Sequence, residues 1–199
     1  DHRACDCLTR FAQTPLSPML ILLDRDGVLN EDRPNFVKTP AELVMIPGAA
    51  NAVARLKAAG HTIAVVTNQS GVGRGLMSEH DLEAVNSTLK GMIEADGGRL
   101  DAIFTCTDPP WAATARRKPG PGMLQEALKQ FDATPAEAVM IGDAARDLEA
   151  AAVLDIHRIL VRTGKGRATE SDLTAELQPV TIFDDLAAAA DTLIAEATP

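Results

Sequence analysis

The sequence predicts an α/β fold in which helices flank a doubly wound, Rossmann-like parallel sheet. Two observations predict it. Short apolar runs alternate with amphipathic segments along the chain, and polar or charged residues follow the ends of several runs, where open α/β sheets bind their ligands. At 199 residues the chain is long enough for one well-buried domain and too short for two ordinary ones. We therefore expect a single domain over residues 19–199.

Five apolar runs are predicted to be strands: residues 19–23, 62–66, 102–106, 138–141 and 158–161. Apolar residues at helical spacing predict helices at 49–59, from Ser78, from Pro121 and from about Asp184. Ser78 with Asp81 three residues later fits a capping box, and Pro121 suits the first turn of a helix. Residues 1–18 show little apolar periodicity, and we expect this N-terminal extension to carry no catalysis.

The composition opposes several classes of partner. A net charge of −9 disfavours a large nucleic-acid footprint, and an aromatic content of 3% leaves few platforms for base stacking. No apolar run approaches the ~20 residues that a membrane span requires. Three cysteines are an odd number without a disulfide framework, which fits a reducing compartment. We expect a cytoplasmic monomer that binds neither nucleic acid nor membrane.

Two carboxylates follow the first predicted strand directly. Asp24 and Asp26 are two residues apart, and in an extended segment residues at this spacing share a face. Two acids on one face repel each other unless a cation or a shared proton relieves them. Taken alone, such a pair would be a solvated turn. With matching groups elsewhere in the chain, it indicates a metal or phosphate site.

Matching groups follow the later strands. They are Thr67 and Asn68, Arg117 and Lys118, and Asp143 with Asp147. A hydroxyl and an amide suit phosphate oxygens, and a fixed cation pair suits a phosphate's charge. Each pair alone has an ordinary explanation, as turn chemistry or as surface charge. Their common position at strand ends predicts one site at the carboxyl edge of the sheet.

At this point the chain resembles the haloacid dehalogenase-like phosphohydrolases. Their four motifs (D-x-D-G, a strand-ending T-N, a lone Lys and G-D-x-x-x-D) are present in order between Met19 and about Gly164. The longer strings D-R-D-G-V-L-N, T-N-Q-S-G-V-G-R-G, R-K-P-x-P-G-M-L and L-V-R-T-G-K-G resemble the branch that contains heptose-bisphosphate 7-phosphatases and histidinol-phosphate phosphatases. The gaps between motifs leave no room for a folded cap domain, so the resemblance implies a capless fold with an open site.

The resemblance assigns roles to the matching residues. Asp24 becomes the nucleophile that forms an aspartyl-phosphate, and Asp26 becomes the general acid and base. Thr67 and Lys118 complete the catalytic set by offsetting charge on the transferred oxygens. Substrate contacts are expected from Asn68, Gln69, Ser70, Arg74 and Arg117.

The resemblance also implies Mg²⁺ as the cofactor. Its protein ligands would be Asp24, Asp143 and the backbone carbonyl of Asp26. Asp147 is expected to orient Lys118 or a metal-bound water rather than to bind the metal itself.

The implied reaction is the hydrolysis of a small sugar phosphate. Within the branch we expect the 7-phosphate of D-glycero-D-manno-heptose 1,7-bisphosphate, with histidinol phosphate as the alternative. A different class, the receiver-like phosphoaspartyl signalling module, also combines acids, a Thr and a Lys on such a sheet. A receiver stores its phosphoryl group, whereas an acid and base two residues beyond the nucleophile discharges it. Asp26 therefore favours turnover.

The chain departs from its relatives at a zinc-binding loop, C-x-H followed by C-x-C before R-K-P. Only Cys106 remains, because Asp108 replaces the His and Thr114 and Arg116 replace the two Cys. One thiolate cannot form the four-coordinate site that structural zinc requires, and nothing in the sequence positions the two N-terminal cysteines to complete it. We expect no structural zinc, with loop 107–117 either ordered by packing or mobile.

Overall fold

A computed structural model of the protein describes residues 18–197. The strands are β1 (Leu20–Leu23), β2 (Thr62–Asn68), β3 (Ala102–Cys106), β4 (Ala138–Gly142), β5 (His157–Val161) and β6 (Thr181–Phe183). The helices are α1 (Ala49–Ala58), α2 (Glu79–Ala95), α3 (Gly122–Gln130), α4 (Ala145–Val153), α5 (Gly166–Ser171) and α6 (Leu186–Ala197). The N-terminal extension, residues 1–18, was predicted to carry no catalysis. All of it except Pro18 lies outside the described residues.

All six strands are parallel and form one sheet in the order β3-β2-β1-β4-β5-β6. The predicted doubly wound sheet is confirmed, as are the five predicted strands. β6 was not predicted, because it consists of only three half-buried residues, too few to show a period. It extends the sheet beyond β5 as an edge strand.

The sheet is buried on both faces, which explains its apolar strands. Along β1, Ile21 and Leu23 pack with α1, α2 and α6, while Leu20 and Leu22 pack with α3 and α4 on the opposite face. This alternation follows from the two-residue period of side chains in a strand. All four side chains are at most 3% exposed, so the end of β1 is fixed from both sides.

Of two helix starts predicted from the sequence, one has the predicted chemistry and the other differs by one position. The Ser78 hydroxyl accepts a hydrogen bond from the Asp81 amide at 3.1 Å, and the Asp81 carboxylate accepts one from the Ser78 amide at 2.8 Å. This confirms the capping box at the start of α2. Pro121 is the N-cap of α3 rather than a residue of its first turn. Both caps set the direction in which the chain leaves the carboxyl end of the sheet.

The chain order places a crevice at the end of β1. After β1 the chain builds β2 and β3 on one side, then returns to build β4, β5 and β6 on the other. Open α/β sheets bind ligands where the strand order reverses in this way. The connection from β1 to α1 contains one short 3₁₀ turn, Pro40–Glu42, and within residues 18–197 no cap domain covers the crevice. None of the helices in this span is both long and apolar enough to cross a membrane.

Candidate active site

Asp24 is fixed where β1 meets β4. Its amide donates a 3.0 Å hydrogen bond to the Ile141 carbonyl, which continues the parallel ladder one residue beyond β1. Its carboxylate accepts a 2.8 Å hydrogen bond from the Arg25 amide. Asp24 is only 2% exposed, yet it lines the main cavity of the described chain. A buried carboxylate with one face on a cavity can react with what enters there.

Lys118 is the fixed cation beside Asp24. Its Nζ lies 3.1 Å from Asp24 Oδ1 and 2.7 Å from Asp147 Oδ1, and it donates a 2.7 Å hydrogen bond to the Val66 carbonyl. The lysine is 1% exposed and Asp147 is fully buried. The expected contact between Asp147 and Lys118 is therefore present. A buried ammonium with three partners holds one position without the entropy cost of ordering a mobile side chain.

These contacts shift the pKa values of both partners. Burial alone would lower the pKa of Lys118, but the charges of Asp147 and Asp24 raise it above its ordinary value. Burial likewise opposes ionisation of Asp24, but Lys118 and then Arg146 outweigh it and lower the pKa of Asp24. Asp24 is therefore ionised and Lys118 charged at neutral pH. An ionised carboxylate is the form that can act as a nucleophile.

Asp143 follows β4 and has an unusual environment. Its Oδ2 accepts a 2.8 Å hydrogen bond from the Lys165 amide, but its buried Oδ1 has no hydrogen-bond partner among the described residues. Burial, and then the charge of Asp24, raise the pKa of Asp143 from 3.8 to about 7. A buried carboxylate oxygen without a partner beside a second carboxylate fits a site for a bound cation.

The residues around Asp143 fit a hard divalent cation. Carboxylate oxygens of Asp24, Asp143 and Asp147 lie within 4.8 Å of one another. Both oxygens of Asp147 are engaged, Oδ1 by Lys118 and Oδ2 by the Ala144 amide, whereas the contacts of Asp24 are on Oδ1, so Asp24 and Asp143 remain for a metal. A Cβ on Gly27, which has φ of +88°, would collide with Asp143 Oδ2. Oxygen ligands of this kind are those that Mg²⁺ prefers, and only glycine leaves the carboxylate its place.

Asp26 lies on the cavity wall in a cradle of donors. Its Oδ1 accepts hydrogen bonds from Arg25 Nη2 at 3.0 Å and Asn30 Nδ2 at 2.8 Å. Its Oδ2 accepts from Arg25 Nη2 at 3.1 Å and from Gln69 Nε2 at 2.6 Å. The Arg25 side chain is fully buried and its other terminal nitrogen donates to Asn86 of α2 at 3.3 Å. The cradle fixes Asp26 relative to Asp24.

The polar residues at the end of β2 make hydrogen bonds mainly to other residues of the site. The Asn68 amide bonds the Lys118 backbone twice, by donating to its carbonyl at 2.9 Å and by accepting from its amide at 3.0 Å. Thr67 Oγ1 accepts a 2.9 Å hydrogen bond from Gln69 Nε2. Gln69 is 1% exposed and its amide contacts protein groups on both sides. Asn68 therefore ties β2 to the loop that supplies the lysine.

The cavity above these groups has a volume of about 860 Å³. Five of the predicted site residues line it: Asp24, Asp26, Asn68, Ser70 and Arg117. Thr67, Lys118 and Asp143 are buried and are not among the residues that line it. The wall also carries Arg146, from α4, and Lys165, whose Nζ lies 2.7 Å from Asp32 Oδ2. The wall of the cavity thus carries both cations and acids.

Arg74 lies at the edge of the site, between two aromatic rings. Its guanidinium carbon is 5.3 Å from the centroid of the Trp111 ring and 5.9 Å from that of Phe36. Both distances suit cation–π contacts. Arg74 is exposed and its Nε contacts Ser70 Oγ at 3.4 Å, so the stack joins three loops at the cavity rim.

The loop before Lys118 is closed by hydrogen bonds among Asp108, Thr114, Arg116 and Arg117. Asp108 Oδ2 accepts from the Thr114 amide at 2.9 Å and from Thr114 Oγ1 at 2.6 Å. Thr114 Oγ1 accepts from the Arg116 amide at 3.2 Å, and Arg117 Nη1 donates to the Asp108 carbonyl at 2.8 Å. Of the two expectations for this loop, the structure shows order by packing. These donors do not fit zinc, because one thiol, Cys106, stands with a guanidinium and a hydroxyl.

Sequence reasoning missed two cations of the site. Arg25 stands inside the D-x-D motif, and Arg146 stands inside the G-D-x-x-x-D motif. At both positions the motif specifies no residue type, so the pattern carries no signal for them. Their position in the sequence could have indicated a role in the site. Each arginine is adjacent in the chain to an acid of the predicted site, and it must therefore lie near that site in the folded protein.

The comparisons with known proteins agree with this geometry. The HAD-hydrolase-like family model matches residues 115–189. The D-glycero-beta-D-manno-heptose-1,7-bisphosphate 7-phosphatases of Bordetella bronchiseptica and Pseudomonas aeruginosa are 41% and 40% identical, over 89% and 90% of this chain and 99% of each relative. A crystal structure of the B. bronchiseptica enzyme complexed with magnesium and phosphate superposes with a TM-score of 0.87 at 41% identity, covering 90% of this chain and 99% of that one. The chain therefore belongs to the haloacid dehalogenase-like hydrolases, within a branch of phosphoric monoester hydrolases.

Proposed function

We propose that this protein is a Mg²⁺-dependent phosphatase that removes the 7-phosphate of D-glycero-D-manno-heptose 1,7-bisphosphate through an aspartyl-phosphate on Asp24. The observation that carries the proposal is the buried group at the end of β1. There an ionised Asp24 contacts Lys118 at 3.1 Å, and one of its carboxylate oxygens lies within 4.8 Å of a carboxylate oxygen of Asp143. The names of the full-length relatives supply the substrate class.

Asp24, Asp143 and the backbone carbonyl of Asp26 would hold the metal. When bound, Mg²⁺ neutralises the two carboxylates and attracts a phosphate oxygen toward Asp24. Lys118 adds a fixed positive charge beside the nucleophile. This charge is in place before substrate binds, so it stabilises the charge that develops during transfer without reorganisation.

In the first step one Asp24 oxygen attacks phosphorus, and the bond from phosphorus to the sugar oxygen breaks. Asp26, which lines the same cavity, gives a proton to that leaving oxygen. In the second step Asp26 takes a proton from water as the water attacks the aspartyl-phosphate, which releases inorganic phosphate and restores Asp24. Arg25, Asn30 and Gln69 keep the Asp26 carboxylate at the cavity wall through both steps.

The open cavity favours a substrate larger than a phosphate alone. About 860 Å³ leaves room for a sugar beyond the transferred group, and Arg117 lies on the wall where a second phosphate would meet positive charge. Histidinol phosphate, with one phosphate, would leave that charge unmatched. The receiver alternative is disfavoured because Asp26 is held beside the nucleophile, where it promotes discharge of the phosphoryl group.

We further propose that residues 19–199 form the catalytic domain and that residues 1–18 take no part in catalysis. The protein acts as a cytoplasmic monomer without structural zinc, and without nucleic-acid or membrane partners. The hydrogen-bonded loop from Asp108 to Thr114 supports the absence of a zinc requirement, because the loop is closed by protein groups. The net charge of −9 supports the absence of a nucleic-acid partner.

A phosphate-release screen tests the proposal. The purified protein is assayed with Mg²⁺ on the heptose bisphosphate, on a heptose monophosphate and on histidinol phosphate, with Asp24→Asn as the control for contaminating phosphatases. We expect the highest kcat/KM on the bisphosphate, and phosphorus NMR should show a product that retains its phosphate at C1. Preference for histidinol phosphate would refute the substrate assignment while leaving the phosphatase chemistry standing.

A further inference from the structure

Arg146 is a cation of the cavity without a partner. It lies in the first turn of α4 and lines the cavity together with Asp24. Its Nε is buried without a hydrogen-bond partner, and none of residues 18–197 accepts a hydrogen bond from its guanidinium. A guanidinium carries five N–H donors, and an unpaired buried donor calls for an explanation, which is often an absent ligand or water.

The neighbouring acids do not explain Arg146. Burial opposes its charge, and the nearby carboxylates, Asp147 and Asp24 above all, raise the pKa of Arg146 above its ordinary value. Yet both of those acids already pair with Lys118, at 2.7 and 3.1 Å, while no carboxylate oxygen of the described chain comes within ion-pair distance of Arg146. Arg146 is thus held near the acids by the fold and keeps its donors free.

The other arginines near Arg146 indicate that the cavity binds an anion. Burial, and the charges of Arg146 and Arg74, lower the pKa of Arg117, so Arg117 lies close enough to each of the other two guanidiniums for their charges to oppose its own. Of these, Arg117 donates to the Asp108 carbonyl and Arg74 lies between two rings, whereas Arg146 has neither kind of contact. A cluster of cations around a cavity relieves its repulsion by binding an anion of high charge.

We propose that Arg146 is a further catalytic residue, whose guanidinium donates hydrogen bonds to oxygens of the phosphoryl group that is transferred to Asp24. Arg146 directly precedes Asp147, which contacts Lys118 and has a carboxylate oxygen within 4.8 Å of one of Asp24, whereas the Arg117 guanidinium is tied to the Asp108 carbonyl. This places Arg146 on the transferred group rather than on a distal phosphate. The inference rests on the proposed phosphatase function only in requiring that a phosphate enters the cavity.

The test compares Arg146→Gln and Arg146→Lys with the wild type. Arg99→Gln is the matched control, because Arg99 is exposed and precedes the amino end of β3, away from the site. Calorimetry measures the affinity for inorganic phosphate in the presence of Mg²⁺, and kinetics measure kcat/KM on p-nitrophenyl phosphate and on the heptose bisphosphate. Inorganic phosphate is a product for any phosphatase, so this arm is independent of the sugar.

We expect Arg146→Gln to weaken phosphate binding by ~10- to 100-fold, as befits the loss of a charge-assisted contact. The loss of kcat/KM should be similar on both substrates, and Arg146→Lys should restore part of it, because it keeps the charge but not the planar donors. The melting temperature should stay within ~2 °C of the wild type, since no described residue loses a hydrogen-bond partner.

Three results would overturn the proposal. The first is unchanged phosphate affinity in Arg146→Gln. The second is a loss confined to the bisphosphate, which would place Arg146 on the distal phosphate. The third is a lower melting temperature with phosphate affinity intact, which would make Arg146 structural. Absence of activity on the heptose bisphosphate with the expected phosphate result would refute only the proposed sugar.

Discussion

Replacing Asp143 by Asn should stabilise the metal-free protein while removing its response to Mg²⁺. Asp143 is 1% exposed, and one of its oxygens is buried without a hydrogen-bond partner among the described residues. The amide side chain that Asp143→Asn introduces has no charge to bury, and its oxygen can still accept the hydrogen bond that the Lys165 amide donates at 2.8 Å. The variant therefore keeps the local geometry and removes only the unfavourable charge.

The magnitude follows from linkage between protonation and folding. Burial and the nearby Asp24 raise the pKa of Asp143 from 3.8 to about 7, so the folded protein holds a proton that the unfolded chain releases. The stability from this group is complete below about pH 3.8 and falls as pH rises to about 7, by up to about 4 kcal/mol at ~1.4 kcal/mol per pH unit. We expect Asp143→Asn to recover about 2–4 kcal/mol at pH 8 and about 1–2 kcal/mol at pH 5.

Urea denaturation of chelator-treated protein at both pH values measures this difference. Adding Mg²⁺ at pH 8 should raise the free energy of unfolding of the wild type in proportion to the logarithm of metal concentration, and should leave Asp143→Asn unchanged. Glu149→Gln is the control, because Glu149 is an exposed acid of α4, and its replacement should change the stability by less than ~0.5 kcal/mol.

Two outcomes would refute the reasoning about Asp143. If Asp143→Asn were less stable than the wild type at pH 8 without metal, the ionised carboxylate would stabilise the fold. The conclusion that its burial is unfavourable would then be wrong. If Mg²⁺ stabilised Asp143→Asn as much as the wild type, the metal would bind elsewhere.

Three further predictions concern catalysis and metal content. Asp24→Asn should lower the rate of phosphate release by more than ~10³-fold with the fold intact, and residual turnover within ~10-fold of the wild type would exclude a covalent intermediate on Asp24. Protein purified without added zinc should contain no stoichiometric zinc by mass spectrometry and should lose activity only when Mg²⁺ is removed; one equivalent of zinc that disappears in Cys106→Ala would contradict the loop chemistry described above. Arg117→Ala should lower kcat/KM for the bisphosphate by ~10-fold or more relative to a monophosphate, and equal losses on both substrates would show that Arg117 contacts the transferred group instead.

Much of the fold could be predicted because its signals are local. The strands β1, β2 and β4 are apolar runs buried on both faces, and the start of α2 is set by Ser78 and Asp81 alone. β6 escaped prediction because a strand of three half-buried residues is defined by its neighbour β5 and not by its own pattern. The acids Asp24 and Asp143 could be placed together because both follow parallel strands that are adjacent in such a sheet.

The supporting contacts of the site could not be predicted, because they join residues far apart in the chain. Asn68 and Gln69 were expected to contact substrate, and the structure shows how much of their bonding capacity goes to Lys118 and Asp26. A sequence shows that an amide is present but not which group takes its hydrogen bonds. The burial of Arg25 escaped prediction for the same reason, because its partners Gln69 and Asn86 are 44 and 61 residues away in the chain.

The most direct test of the account is to identify where the phosphoryl group goes during turnover. The protein is mixed with heptose bisphosphate and Mg²⁺ and quenched in acid on the millisecond scale, and its peptides are analysed by mass spectrometry. The account predicts one phosphoryl group on the peptide that contains Asp24, rising and decaying with product formation and absent in Asp24→Asn. A phosphoryl group on another residue, or full turnover in the wild type with no phosphorylated peptide at any time, would contradict it.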